Sequence, residues 1–402
     1  MYLTINVSEK RHQQMTLDDL FSGVVSYYHT DLHNTATRTY LIEDEAKYAK
    51  KATQMGVEVG VLYHTLHMFV ESHAHLYEGD IHDHYETFYI PKKSHGYRRI
   101  DAPDTELAEA LRELKHIFEE TFGAKYHNTA FAYIKKRSTK DALVRHQSNE
   151  SKWFAKFDLT NFFGSTTLDF TMQQLSNIFP FNLLCNFYVS DKFEYSAGYE
   201  MLKKAISLGF LDGGLPQGTP LSPLLTNVIM IPIDYHISKE LHNRTDNNYV
   251  VTRYADDFLI SSKHDFNYRQ IEDLLCSVMQ QFNAPFTLNR EKTRYGSSAG
   301  SNWNLGLMLN KDNEITVGNQ RKRQLKSAIH SYLMDKKNCK GMWELTDLQV
   351  LLGQINYISI IEPETVAGII KSYEQKLGLV EGYLKKEICH DISYRTTQHP
   401  AL

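Results

Sequence analysis

"YVVTRYADDFLISS", Tyr249–Ser262, sets two aspartates side by side, Asp256 and Asp257, between two apolar runs. Tyr249-Val250-Val251 and Phe258-Leu259-Ile260 are β-branched and aromatic, and only a few residues link them. That pattern predicts a β-hairpin. Adjacent like charges repel, and a buried carboxylate costs free energy unless something neutralises it. A hairpin with both acids at its tip is either an ordinary turn bathed in solvent or a seat for cations. The rest of the chain decides between the two.

A third acid points the same way. In "KWFAKFDLTNFF" (residues 152–163), Asp158 follows Phe154 and Phe157 and ends a predicted strand. If that strand pairs with the hairpin, Asp158 and Asp256 converge on one edge. Converging carboxylates coexist when cations offset their charge, and Mg2+ takes oxygen ligands while keeping positions open for phosphates. Two such ions, about 3.5–4 Å apart, activate an attacking oxygen and stabilise a leaving one in phosphoryl transfer. Between the acidic elements lies "GGLPQGTPLSPLLTN", Gly213–Asn227. Its glycines permit close backbone approach and its prolines stiffen the entry to a helix. Such a loop can press against a flat base pair, with Gln217 holding a neighbouring strand.

The 402 residues suffice for two or three domains or one multi-lobed enzyme, and 42% apolar content supports a full core. There is no apolar run of about 18 residues to span a membrane and no signal peptide at the N-terminus. The four cysteines, Cys185, Cys276, Cys339 and Cys389, are too scattered for a disulfide framework or a zinc site, so a cytoplasmic location is expected. A net charge of −4 argues against a protein coated in nucleic acid but permits a local basic groove. Candidate basic clusters are Lys92, Lys93, Arg98 and Arg99; Lys135, Lys136 and Arg137; and Arg321, Lys322, Arg323 and Lys326.

Elements of both kinds alternate without a strict βαβ repeat, which predicts an α+β fold with a helical C-terminal lobe. Two strands are expected over 86–103 around a Ser94-His95-Gly96 turn, then a helix capped by Asp104, one helix over 222–241, one near 266–282, and helices near 319–335, 345–358 and 363–378. Residues 1–85 are helix-leaning and hold His64, His67, His73, His75, His82 and His84. Without a cysteine or a ligand quartet, these point to packing or RNA-facing roles rather than to a metal.

Taken in order, the pieces resemble the reverse transcriptase family. "FDLTNFF" is similar to its motif A, "GLPQGTPLSPLLTN" to motif B, "YADD" to motif C, "LNREKTRYG" to motif D, "NWNLGLMLN" to the primer-grip motif E, and "IPKKSHGYRRIDAP" to the fingers hairpin. The resemblance covers roughly residues 86–380 and implies a right-hand polymerase: an N-terminal helical extension (1–85), fingers (86–150), a palm with an antiparallel sheet (151–300), and a primer grip with a helical thumb (301–402). It implies Asp158, Leu159, Asp256 and Asp257 around two Mg2+ ions, with Mn2+ as a substitute, and Lys292 as proton donor to pyrophosphate. Phe163 would crowd a ribose 2′-OH and select dNTPs. Lys92, Lys93 and Arg98 would hold the triphosphate, and Gln217 and Gly218 would line the template and nucleotide site. Arg321, Lys322, Arg323, Lys326, Lys135 and Arg137 would contact nucleic acid.

Within the family, the fingers hairpin and "LQVLLGQINYIS" resemble retron-type and defence-associated "unknown group" enzymes. The retron Asn-Ala-x-x-His element is matched only by "DALVRH" (Asp141–His146), and Val-Thr-Gly is replaced by Asn304-Leu305-Gly306. The implied function is copying a dedicated non-coding RNA into DNA in anti-phage defence, with a homo-oligomer or a second defence protein as partner and no membrane. The alternatives are a retron enzyme making branched or structured RNA-linked DNA, template-independent or protein-primed synthesis, and an inactive RNA-binding scaffold.

Overall fold

A computed structural model describes residues 45–398, apart from 93–95, 123–125, 187–196, 245–247, 299–302, 304–305 and 339–340, with side chains over 59–396 except 121 and 122. Of the residues singled out above, Lys93, Ser94, His95, Asn304, Leu305 and Cys339 lie outside the described residues, as do residues 1–44 of the N-terminal extension.

The described residues begin with helix α1 (Glu45–Ser72) and two short 3-10 turns, then the antiparallel pair β1 (Tyr85–Pro91) and β2 (Tyr97–Pro103). Helix α2 (Thr105–Phe122) starts where expected, because the Asp104 carboxylate accepts the Leu107 amide at 2.8 Å. Helix α3 (Thr139–Ser148) starts with a capping box between Ser138 and Asp141. Next come β3 (Trp153–Asp158), α4 (Leu168–Leu175), α5 (Ala197–Ser207), α6 (Ser222–Ile229) and α7 (Ile231–His242). The single helix expected over 222–241 is thus two. Pro232, in the first turn of α7, has no N–H to continue the ladder, and the chain breaks at Met230.

The quoted hairpin is β4 (Val250–Tyr254) and β5 (Asp257–Ser262), followed by α8 (Tyr268–Gln281), β6 (Arg294–Ser297) and the short pair β7 (Met308–Leu309) and β8 (Ile315–Thr316). Four helices finish the chain: α9 (Gly318–Asn338), α10 (Leu345–Ile361), α11 (Pro363–Leu377) and α12 (Tyr383–Gln398). No helix among the described residues is long and apolar enough to cross a membrane.

Strands β4-β5-β3-β6 form one antiparallel sheet in that order. Side chains alternate between its faces. Ala155 and Phe157 of β3 and Phe258 and Ile260 of β5 lie in one apolar cluster with Ile233 and Ile237 of α7 and Ile271 and Leu275 of α8. That burial fixes the register, since a slip by one residue would turn the apolar set outward. Phe154, Lys156 and Asp158 lie on the other face, where Phe154 and Leu259 join the cluster of Trp303, Leu307 and the C-terminal helices. A third cluster joins α1, α2, α5 and α6, so α1 shares a core with the helix after the β1–β2 hairpin.

Candidate active site

Register decides the geometry of the acids. Asp158, the last residue of β3, sits directly opposite Asp257, the first of β5. The Leu159 amide donates to the Asp256 carbonyl at 3.0 Å, and the Asn289 amide donates to the Asp158 carbonyl at 2.8 Å. The end of β3 is therefore held between the YADD turn and the segment leading to Lys292. In the turn itself Ala255 has φ +57. A two-residue hairpin link needs a positive φ there, and a residue with a Cβ adopts it at a cost of about 1–2 kcal/mol.

The three carboxylates are not equivalent. Burial, then Asp257 and Asp158, push the Asp256 carboxyl up to about 6, with Lys292 opposing. Burial also raises Asp257, and Lys156 opposes it through an ion pair of 2.7 Å. The Lys292 ammonium donates to both oxygens of Asp158, at 2.9 and 3.1 Å. Asp256 has no cation within ion-pair distance among the described residues. Three acids thus face two lysines at the ends of β3 and β5, with Asp158 buried, Asp256 and Asp257 half-buried, and carboxylate oxygens as the donors. That set fits a hard divalent cation. Among the described residues no three His, Cys, Asp or Glu side chains are gathered as ready ligands; two of the carboxylates are turned onto lysines instead.

The glycine-rich loop reaches the turn after β3 through close backbone approach. A Cβ on Gly214 would stand 2.1 Å from the Gly164 carbonyl oxygen, so only glycine fits. The Leu215 amide donates to the Phe163 carbonyl at 3.0 Å, tying the loop to the turn after β3. On its other side, Gly218 has φ +131 and lies against the Asp101 carbonyl of β2, while the Asp101 amide donates to the Gln217 carbonyl at 2.8 Å. Phe163, Gln217 and Gly218 are brought to one wall between β2 and β3. Phe163 meets the Tyr133 ring edge-on at 6.4 Å. Burial raises the Tyr133 hydroxyl, Asp256 and Tyr254 add to it, and Arg98 opposes. Lys92 and Arg98 are exposed on the hairpin, whereas Arg99 is bound to Asp101 at 2.7 Å and Asp212 at 2.8 Å.

Beside Tyr254 a cleft of about 790 Å³ opens toward the C-terminal helices, lined by Arg137, Arg321, Gln324, Gln354 and Tyr357 among others. Arg321 lies over the Tyr357 ring at 5.8 Å. Arg323 and Lys326 are exposed one turn apart on α9. Lys322 is not brought to the cleft: its ammonium pairs with Glu362, whose carboxylate also accepts the Val317 amide and the Thr316 hydroxyl. Arg137 borders the cleft, but its guanidinium donates to the His127 and Ala130 carbonyls at 2.7 and 2.6 Å. Lys135 is exposed and 3.8 Å from Glu119. Four of the six histidines singled out before β1 pair with acids: His73 with Glu113, His75 with Glu106, His84 with Asp104, and His82 with Asp80 and Asp212.

Several residues of this site carried no weight in the sequence reading. Lys156 is two residues before Asp158 on a strand, so period-two alternation could have placed it on the acidic face. Arg253, Asp234 and Asn227 meet only in three dimensions. His146, buried at the end of α3, bonds Ser261 and Thr252 at 2.5 and 2.8 Å and so joins β5 to β4.

An antiparallel sheet with acids on one edge, backed by helices, flanked by an exposed hairpin and followed by a helical lobe, is the palm of a right-hand polymerase with its fingers and thumb. The chain belongs to the reverse transcriptase (RNA-dependent DNA polymerase) family, whose profile matches residues 90–327. It is an RNA-directed DNA polymerase, of a family that works with divalent metal ions, an RNA template and a DNA product. Retron Ec73 reverse transcriptase of Escherichia coli is 27% identical over 302 residues, 74% of this chain and 89% of that one. Retron Ec83 reverse transcriptase of the same organism is 26% identical, covering 72% and 87%, and Retron Mx65 reverse transcriptase of Myxococcus xanthus 25%, covering 72% and 66%. Among solved structures, telomerase from Candida albicans in complex with a TWJ fragment of telomeric RNA aligns over 78% of this chain and 64% of its own, at 12% identity and a TM-score of 0.43.

Proposed function

We propose that Asp158 and Asp256, with the Leu159 carbonyl and Asp257 beside them, hold two Mg2+ ions at which dNTPs are joined to a primer. The observation that carries this is the pairing of Asp158 opposite Asp257 at the tip of the YADD hairpin. When bound, the ions supply Lewis-acid activation of the primer hydroxyl and offset the charge of the leaving pyrophosphate. The chain's own residues do the rest. Arg98 and Lys92 grip the triphosphate from the hairpin by charge-assisted bonds. Phe163 closes the wall where a 2′-OH would project, and Gln217 with Gly218 supports the base pair. Lys292, with a side chain 59% exposed, is free to swing from Asp158 and give a proton to pyrophosphate. Arg321, Arg323 and Lys326 hold the template–primer backbone, contacts that bring affinity without sequence preference.

This reading divides the chain into an N-terminal extension (1–85), fingers (86–150), palm (151–300) and grip with thumb (301–402). The template is a dedicated non-coding RNA and the setting is cytoplasmic anti-phage defence. The similarity to retron enzymes supports a small bacterial system with its own RNA. A retron proper is the second reading. Against it, the histidine of "DALVRH" is fully buried under the sheet rather than offered to RNA.

The test is dNTP incorporation on a primed RNA template by wild type and by Asp256→Ala/Asp257→Ala. The double variant is expected to lose activity by about 10³-fold or more; synthesis at the wild-type rate would refute the site. Sequencing RNA copurified with the protein tests the dedicated template, and one abundant structured species is expected.

A further inference from the structure

One charged side chain in the YADD hairpin points away from the acids. Arg253, three residues before Asp256, lies on the helix-covered face of the sheet, opposite Phe258 in the β4–β5 register. Its guanidinium and the Asp234 carboxylate of α7 are both wholly buried. Nε and Nη2 donate to the two Asp234 oxygens at 2.8 Å each. The remaining nitrogen, Nη1, donates to the Ala255 carbonyl at 3.0 Å and the Asn227 side-chain oxygen at 3.3 Å. Asn227, in α6, donates in turn to the Ala132 carbonyl at 2.7 Å. The Arg253 backbone bridges to Thr129 and Phe131 at 2.7 and 2.9 Å.

A buried ion pair is weak evidence of stabilisation, since apolar residues of the same volume often replace it without loss. The bond to Ala255 is what asks for another account. Ala255 is the strained, positive-φ residue, and its carbonyl begins the peptide unit that leads into Asp256. We propose that Arg253, fixed by Asp234 and Asn227, is a positioning residue that holds the Ala255–Asp256 peptide in the orientation the reaction needs. It also couples that turn to the 129–133 segment carrying Tyr133 and to the helix after the glycine-rich loop. Lysine cannot replace it: one ammonium cannot span Asp234 and Ala255 with the geometry of a planar fork. The inference rests on Asp256 acting in catalysis.

The experiment replaces the pair by apolar residues of similar volume, Arg253→Met/Asp234→Leu, with Arg253→Lys as a second variant and Asp256→Asn as a control. Melting temperature is measured together with kcat and KM for single-dNTP addition to a primed RNA. The expected result for Arg253→Met/Asp234→Leu is a melting temperature within about 3 °C of wild type, kcat down by about tenfold or more with KM for dNTP little changed. A well-folded double variant with wild-type kcat would overturn the proposal, and so would a loss confined to KM. If the double variant does not fold, Arg253→Lys carries the test: reduced kcat at unchanged KM supports the role and wild-type kcat overturns it. Activity retained in Asp256→Asn would refute the site itself and is read separately.

Discussion

The two faces of the YADD hairpin treat charge in opposite ways. On the helix-covered face, Arg253 and Asp234 are wholly buried and the guanidinium bonds four acceptor atoms. On the other face, three carboxylates share two lysines, and Asp256 is left with the shortfall. Buried charges that are fully matched make a brace, while charges left under-matched at strand ends make a receptor for something positive. The same hairpin supplies both because neighbouring residues on a strand face opposite ways.

Removing an acid from each face should therefore move stability in opposite directions. Asp234→Ala leaves Arg253 buried without its counter-charge, and urea unfolding is expected to show a loss of about 3–5 kcal/mol. A loss below about 1 kcal/mol would mean that water or another acid reaches the guanidinium.

Asp256→Asn should do the reverse in metal-free buffer. The Asp256 carboxyl stands at about 6 in the fold, above its ordinary value. A group raised in this way favours the fold at low pH, and that contribution disappears as pH rises through about 6. Near pH 7.5 its charged form opposes folding, and neutral Asn is expected to add about 2–3 kcal/mol. Mg2+ should narrow the gap between the variant and wild type. An Asp256→Asn protein less stable than wild type in chelator would break the contrast between the faces.

His146 sharpens the comparison from inside the sheet's support. Burial holds its imidazole down to about 3, so it stays neutral between Ser261 and Thr252. The unfolded chain takes up a proton near pH 6.5 and the fold does not. Stability is therefore full above about pH 6.5 and falls as pH drops toward 3, by about 2 kcal/mol at pH 5. In His146→Gln this part of the acid slope should vanish. Equal slopes between pH 7 and 5 for the two proteins would show that the imidazole reaches solvent.

Periodicity and turn chemistry made much of the scaffold legible beforehand. The β4–β5 hairpin, the strand ending at Asp158, the Asp104 cap and the helical lobe fall where alternation, N-cap residues and apolar spacing put them. The break at Pro232 is hidden in the sequence because the apolar pattern runs straight through it. Basic residues were the weakest guide. Arg321, Lys322 and Arg323 are consecutive, yet one lies over Tyr357, one pairs with Glu362 and one is exposed. A helix turns each residue about 100° from the last, and only the packed neighbours settle which face meets an acid.

By itself the sequence determined that three acids would stand at strand ends around a glycine-rich loop, because strand alternation and backbone sterics are local properties written in residue types. It took the tertiary structure to decide which charges are matched. Lys156 on Asp257, Lys292 on Asp158 and Arg253 on Asp234 join residues 19 to 134 positions apart, and Arg253 on Ala255 ties a strand to its own turn. Electrostatic energy depends on distance and burial, and both exist only once the chain has folded.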